Sequence, residues 1–318
     1  MDPPEDIVEG AIARHVTMVR EFGGTPGVNR ERWLAALTPK HCALSLVGEP
    51  IMYPHINALL RLLHARGISS FLVTNAQFPD AIAALEPVTQ LYVSIDAGNE
   101  ADLREVDRPL FSDFWARFLG CLDALRAKRQ RTVYRLTLIK GEKGNMGPNA
   151  VREYASLIAR GAPELIEVKG VTWSGVSDGG GLTMASVPWH SEVRDFCVAL
   201  QQELERRRTL SGGGDETLPN STAPPPAYGL AGEHAHSCCV LMAQFKYYHG
   251  EEGGWHTHID YPKFQELVAK WYAGGADFGS EDFCAPTPAW AVWGAPEAGF
   301  SPAEERGRRG GRALAAGL

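Results

Sequence analysis

The chain has 318 residues, 44% of them hydrophobic, with a formal net charge of −7 and a pI of about 5.8. That apolar share supports a globular core and argues against a disordered chain. The acidic balance leaves no overall basic field, so a nucleic-acid partner would have to use a local patch. No apolar run reaches membrane-spanning length, and the N-terminus, M-D-P-P-E-D, lacks the build of a signal peptide. The expected location is cytoplasmic, with no membrane partner. Cys42, Cys121, Cys197, Cys238, Cys239 and Cys284 are scattered and show no C-x-x-C or C-x-x-x-C-x-x-C spacing, which favours reduced thiols.

Residues 4–22 read as a leading helix with Ile7, Ile12, Val16 and Val19 as its stripe, ended by Gly23-Gly24-Thr25-Pro26-Gly27. Residues 30–37 form a second short helix. Strand-and-helix units then follow. Strand 43–47 leads to helix 55–66, strand 69–73 to helix 79–85, and strand 91–95 to a polar turn at 96–100 and helix 111–129. Strand 133–139 leads to helix 150–160, and strand 165–168 to a Gly/Ser-rich loop and helix 189–207. This alternation predicts right-handed crossovers and a parallel sheet. Residues 208–227, with S-G-G-G-D and A-P-P-P-A, read as a low-complexity linker. Beyond it, 228–248 is strand-like, 250–254 a turn and 263–272 a helix. Residues 301–318, with R-G-R-R-G-G-R, read as a disordered basic tail.

Polar groups gather where the strands end. The first strand stops on Gly48-Glu49-Pro50, where Gly48 permits unusual backbone angles and Pro50 cannot continue a ladder. The second ends on Thr74-Asn75. The third carries Ser94 and Asp96 on one face, as alternate residues do. The fourth carries Arg135, Thr137 and Lys140, with Asn145 just beyond, and the fifth Glu167 and Lys169. Taken singly, Asn75 and Asp96 could be turn residues. Five consecutive apolar strands with polar ends would together line one mouth of a barrel.

The words V-G-E-P-I-M-Y-P, F-L-V-T-N-A-Q-F-P, L-Y-V-S-I-D-A, R-L-T-L-I-K-G and I-E-V-K-G-V-T resemble the radical S-adenosylmethionine enzymes, in particular the tRNA wybutosine-synthesising family. D-R-P-L-F-S-D-F-W, L-T-M-A-S-V-P-W-H, E-H-A-H-S and I-D-Y-P-K-F-Q-E-L match as well, so the resemblance runs from about residue 4 to 302. It implies an α/β fold, a partial (β/α)6 TIM-like barrel missing its first strand, with a small C-terminal α+β extension. The implied division is a barrel core at 1–207, an insert at 208–227, a wybutosine-synthesis extension at 228–300 and a tail at 301–318.

The resemblance also implies S-adenosylmethionine bound at the strand ends. Gly48, Glu49 and Pro50 are similar in position to the segment that receives its methionine amino group. Thr74, Asn75, Ser94 and Asp96 resemble contacts to methionine or ribose, and Thr137 and Asn145 lie on the adenine side. In the family, a [4Fe–4S] cluster reduces S-adenosylmethionine to a 5′-deoxyadenosyl radical. Carbons 2 and 3 of pyruvate are condensed with N1-methylguanosine 37 in the anticodon loop of phenylalanine tRNA, giving 4-demethylwyosine. The family's cluster cysteines, C-x-x-x-C-x-x-C, lie just upstream of its P-E-x-I helix, the helix that opens this chain. A fragment or inactive form is therefore expected, with no metal ligands of its own, and FMN enters only with an upstream flavodoxin-like domain.

Lys169 is the lysine expected to meet pyruvate, as Schiff-base amine or carboxylate partner; the alternative is a salt bridge with Glu167. His234, His236, Cys238 and Cys239, with His256 and His258, do not fit the usual zinc spacings and read as hairpin histidines. Tyr247, Tyr248 and Trp255 there are alternative base-stacking groups. A tRNA surface would use Arg108, Arg135, Lys140 and Lys143 around the mouth, with Lys169 deepest, and Trp173 and Trp189 for stacking. Two further functions stay open: a cluster-less module that binds S-adenosylmethionine or tRNA without turnover, and a barrel lyase or aldolase using Lys169.

Overall fold

The computed structural model describes residues 1–302 except 46–47, 129, 142–143, 174, 176–181 and 212–224. Two helices, α1 (Pro4–Glu21) and α2 (Arg30–Ala36), come first. The alternating units follow as β1 (His41–Leu44), α3 (Ile56–Ala65), β2 (Ser69–Thr74), α4 (Pro79–Ala84), β3 (Gln90–Ser94), α5 (Glu100–Asp107), α6 (Phe114–Lys128), β4 (Thr132–Leu138), α7 (Ala150–Gly161), β5 (Leu165–Gly170) and α8 (His190–Ser211). The C-terminal part adds β6 (Tyr228–His234), β7 (Cys239–Gln244), α9 (Gly250–Gly253), β8 (His258–Ile259), α10 (Tyr261–Tyr272) and β9 (Cys284–Ala285).

Seven strands form one sheet in the order β1-β2-β3-β4-β5-β7-β6. The pairs from β1 to β5 are parallel, and β7 joins β5 antiparallel, with β6 outside it. The sheet therefore runs without a break from the expected core into the expected extension, because the hairpin supplies the ladder partner that β5 needs. Among the described residues, no helix is long and apolar enough to cross a membrane.

Alternation along the strands sorts the side chains into two layers. Leu72, Leu91, Val93, Leu136, Leu138, Ile166, Val168, Val240 and Met242 face the helices and join Leu60, Phe118, Leu122, Tyr154 and Leu200 in the main core. On the other face, Val133, Leu165, Ala231, Ala243 and Tyr247 form a second, smaller core with Tyr92, Leu241 and Trp255 against it. This inner face is covered at the N-terminal ends of the strands by the C-terminal segment. The buried Arg131 fastens that floor: Nε donates to Gln90 Oε1 (2.8 Å) and Nη2 to the Thr257 carbonyl (2.6 Å), and Nη1 lies 3.3 Å from Cys284 Sγ.

Several sequence expectations are corrected. Residues 100–107, between the expected turn at 96–100 and the expected helix from 111, form helix α5. Asn99 caps it by accepting from the Asp102 N–H (2.9 Å), and Arg108 ends it with φ 47°. Only Leu103 is buried on this helix, so the sequence carries no apolar stripe there. Strand β1 lies at His41–Leu44, two residues earlier than expected, and positions 46–47 lie outside the described residues. The turn at 250–254 contains the single helical turn α9. The strand-like run 228–248 is a hairpin whose register shifts between Leu230 and Gly232. Most of the expected linker, 212–224, and the tail from 303 lie outside the described residues.

Candidate active site

The C-terminal ends of β1 to β5 carry the polar groups, and the pairing registers place them in layers on the inner face. Ser94, Arg135, Glu167 and Leu241 share one layer. Thr137, Lys169 and Cys239 form the next one toward the mouth, and Asp96 joins it through a hydrogen bond between its carboxylate and the Thr137 side chain. Below them, Glu167 and Leu241 border a cavity of about 220 Å³ whose opposite wall is Thr257, His258, Ile259 and Tyr261.

The turn after β1 is built around a carboxylate. Gly48 has φ 71°, a conformation that a Cβ would strain, and Pro50 starts a short 3₁₀ turn, Pro50–Met52. Between them, Glu49 Oε2 accepts the Asn75 N–H at 2.9 Å, tying the β1 turn to the end of β2. Glu49 Oε1 is buried with no hydrogen-bond partner among the described residues. Burial pushes the Glu49 carboxyl above its ordinary value, against the pull of the Asn75 N–H, the Thr74 side chain and the Ile51 amide. A buried acceptor without a donor is costly, so this oxygen fits a ligand that brings a cationic N–H. Thr74 is buried and accepts from the Ala76 N–H (3.1 Å), whereas the Asn75 side chain is exposed beside it.

Burial also raises the Asp96 carboxyl, while the Thr137 hydroxyl and the Arg135 charge draw it back. Asn145 sits beneath this pair. Its Nδ2 donates to the Asp96 carbonyl (2.8 Å) and the Thr137 carbonyl (2.7 Å), and its Oδ1 accepts from the Ile139 N–H (2.8 Å). The amide is fully engaged by backbone, so Asn145 positions the two strand ends.

Glu167 is taken by Arg135, whose Nε donates to its Oε1 at 2.8 Å while the guanidinium lies 4.4 Å from the Tyr92 ring centroid. The expected alternative, a Glu167–Lys169 bridge, does not form. Lys169 makes no ion pair with the described residues; across the ladder it faces Cys239, whose thiol burial pushes up to about 12 and so keeps neutral. The order of depth is also corrected. Lys169 is level with Thr137, and Arg135 lies two residues further back on β4, so Arg135 is the deeper cation.

Asp107, which sequence reasoning did not single out, lies close enough to Asp96 to feel its charge. It closes α5 and keeps solvent contact, yet crowding by the surrounding chain and the nearby Asp96 charge push its carboxyl up to about 7. Its spacing carries no signal, because the approach to Asp96 is tertiary.

At the rim, Lys140 is paired with Glu192 (2.9 and 3.1 Å), Arg108 is exposed, and Lys143 lies outside the described residues. Trp189 is 74% and Trp173 39% exposed, so neither fills the core. His234 and His236 gather with Phe300, and His234 Nδ1 lies 2.6 Å from Ser237 Oγ. Among the described residues, no three His, Cys, Asp or Glu side chains are grouped to hold a metal. Cys121 and Cys197 are buried in helices α6 and α8, and Cys284 lies at the floor, so these three thiols are not placed to share an iron–sulfur cluster.

Comparison with known proteins places this architecture. The profile of the radical SAM superfamily matches residues 2–152, and that of wyosine base formation residues 160–244. A partial barrel with polar strand ends, matched in this way, has the architecture of the radical SAM superfamily, a class that implies S-adenosylmethionine and an iron–sulfur cluster. The S-adenosyl-L-methionine-dependent tRNA 4-demethylwyosine synthase of Oryza sativa subsp. japonica is 51% identical over 321 residues, covering 100% of this chain and 44% of that protein. The corresponding proteins of Danio rerio and Homo sapiens are 50% and 49% identical over 97% of this chain and 39% of their own length. Two solved structures are similar. A TYW1 with a lysine–pyruvate adduct bound has a TM-score of 0.61 at 26% identity over 77% of this chain and 70% of that chain. An archaeal TYW1 has a TM-score of 0.57 at 25% identity over 77% and 71%. Over its whole length the chain is homologous to the tRNA 4-demethylwyosine synthases. It spans 39–44% of the length of these curated relatives.

Proposed function

We propose that this chain carries the cofactor and substrate surfaces of a tRNA 4-demethylwyosine synthase, condensing carbons 2 and 3 of pyruvate with N1-methylguanosine 37 of phenylalanine tRNA. The observation that carries the reading is Lys169: it is a lysine on the inner face at the barrel mouth, and its neighbouring carboxylate is already held by Arg135. A solved relative holds a lysine–pyruvate adduct.

Lys169 attacks C2 of pyruvate through its amine. The ketone oxygen leaves as water with two of the ammonium's protons, the third stays on nitrogen, and a protonated C=N bond forms, so atoms and charge balance. The cationic imine then fixes the substrate methyl carbon at the mouth. Glu49 receives the amino group of S-adenosylmethionine through its unpartnered Oε1, with Gly48 and Pro50 shaping the turn around it. Thr74, Asn75, Ser94 and Asp96 border the methionine and ribose, and Thr137 and Asn145 the adenine side. Radical initiation would need S-adenosylmethionine and a [4Fe–4S] cluster, and the described residues group no ligands for the cluster. The chain's own task is orientation and exclusion of water. The exposed Trp173 and Trp189 stack on the extruded anticodon base. At about half identity to named synthases, a binding module without turnover is not favoured.

The test is borohydride trapping. Incubation with pyruvate and borohydride should add one reduced pyruvyl group per chain, mapped to Lys169 by peptide mass spectrometry and absent from Lys169→Ala. Trapping at another lysine, or none, overturns the assignment.

A further inference from the structure

A carboxylate lies next to the reacting carbonyl of any 2-oxo acid, and an imine to Lys169 leaves that charge to be received by something else. Arg135 is placed for it. Thr137 on β4 pairs with Lys169 on β5, and Arg135 pairs with Glu167, so Arg135 sits one strand across and two residues behind Lys169 on the same face. Such diagonal neighbours lie roughly 8 Å apart at the backbone, within the joint reach of two long side chains holding a three-carbon molecule between them.

The guanidinium is also held ready. Nε is bound to Glu167, the Tyr92 ring lies 4.4 Å from it, and the terminal amino groups make no hydrogen bond with the described residues. Its side chain is 32% exposed, whereas Glu167 is 19%, so the open side of the pair is the arginine's. A guanidinium fixed at one edge keeps a planar fork of N–H donors that matches a carboxylate. Its depth, behind Lys169, argues against a contact with tRNA phosphates.

We propose that Arg135 is the carboxylate anchor of the site, receiving the carboxylate of a 2-oxo acid whose carbonyl reacts with Lys169. The inference rests on the Lys169 reading and extends it to the other end of the substrate. Tyr92 and Glu167 are then positioning residues for the anchor.

Borohydride trapping against a concentration series tests it, using pyruvate and its methyl ester, which keeps the ketone and loses the charge. In Arg135→Gln, half-maximal trapping should need at least about tenfold more pyruvate, the loss expected for one charge-assisted contact, with the methyl pyruvate curve unchanged. Arg135→Lys should restore part of the pyruvate affinity, because a point charge replaces a fork. An unchanged pyruvate curve in Arg135→Gln, or equal shifts for both ketones, overturns the anchor. Saturation-transfer NMR of pyruvate separates the two readings. Binding should persist in Lys169→Ala and vanish in the Lys169→Ala/Arg135→Gln double variant. No trapping in the parent chain, with that NMR difference intact, removes the lysine assignment and keeps the anchor. Lysine trapping without any Arg135 dependence removes only the anchor.

Discussion

Replacing Asn145 with Ala would remove three hydrogen bonds at once: two donated to the Asp96 and Thr137 carbonyls and one accepted from the Ile139 N–H. Asn145 is 8% exposed, so water reaches the released groups poorly. At about 0.5–1.5 kcal/mol net for each neutral bond, the loss is about 1.5–4.5 kcal/mol. Asn145→Asp sharpens the test. A carboxylate still accepts from Ile139 but turns lone pairs toward two carbonyls, so its folded-state pKa should rise above the unfolded value. A raised carboxyl contributes stability at low pH and loses it as pH rises. Asn145→Asp should therefore be the least stable of the three at pH 7 and recover toward pH 4. Urea unfolding followed by far-UV circular dichroism measures all three chains across that range. A loss under about 1 kcal/mol in Asn145→Ala, or an Asp variant insensitive to pH, would refute the view that this amide holds the β3 and β4 ends together.

Asp107→Asn should raise thermal stability at pH 8. Crowding by the surrounding chain and the Asp96 charge push the native carboxyl up to about 7, so the wild type loses stability as pH rises from about 4 to 7, and the variant's advantage should vanish below pH 4; an advantage that persists at pH 3.5 would contradict this. Binding of an anticodon stem-loop should weaken steeply with salt, and Arg108→Glu should flatten the slope by about one unit. Trp189→Ala should cost about 1–3 kcal/mol with the slope kept, and affinity unchanged in both variants would move the tRNA surface elsewhere.

Much of the architecture is readable from residue order, because strand and helix periodicities differ and the units alternate. Helix α5 escaped because Glu-Ala-Asp-Leu-Arg-Glu-Val-Asp buries a single leucine and is held by its Asn99 cap and not by an apolar stripe. The polar strand ends were legible as a set, but their partners were not. Glu167 has a lysine two residues along its own strand and an arginine across the ladder, and only the register decides that the arginine takes it. Asn145 illustrates the same limit: its position beyond β4 is visible in sequence, while its engagement by three backbone groups depends on where β3 ends. The raised Asp107 carboxyl arises from two acids brought together by the fold.

The floor of the barrel has a consequence for the order in which the chain becomes native. Arg131 reaches partners 126 and 153 residues further along the chain. Until those residues emerge from the ribosome, the strands β1 to β5 can pair while Phe71, Tyr92, Val133 and Leu165 remain open to water. Contacts of such long sequence separation form late, after the loop-closure entropy has been met. A nascent chain stalled before residue 257 would thus hold a helix-backed sheet with an apolar inner face, a form prone to chaperone capture and aggregation.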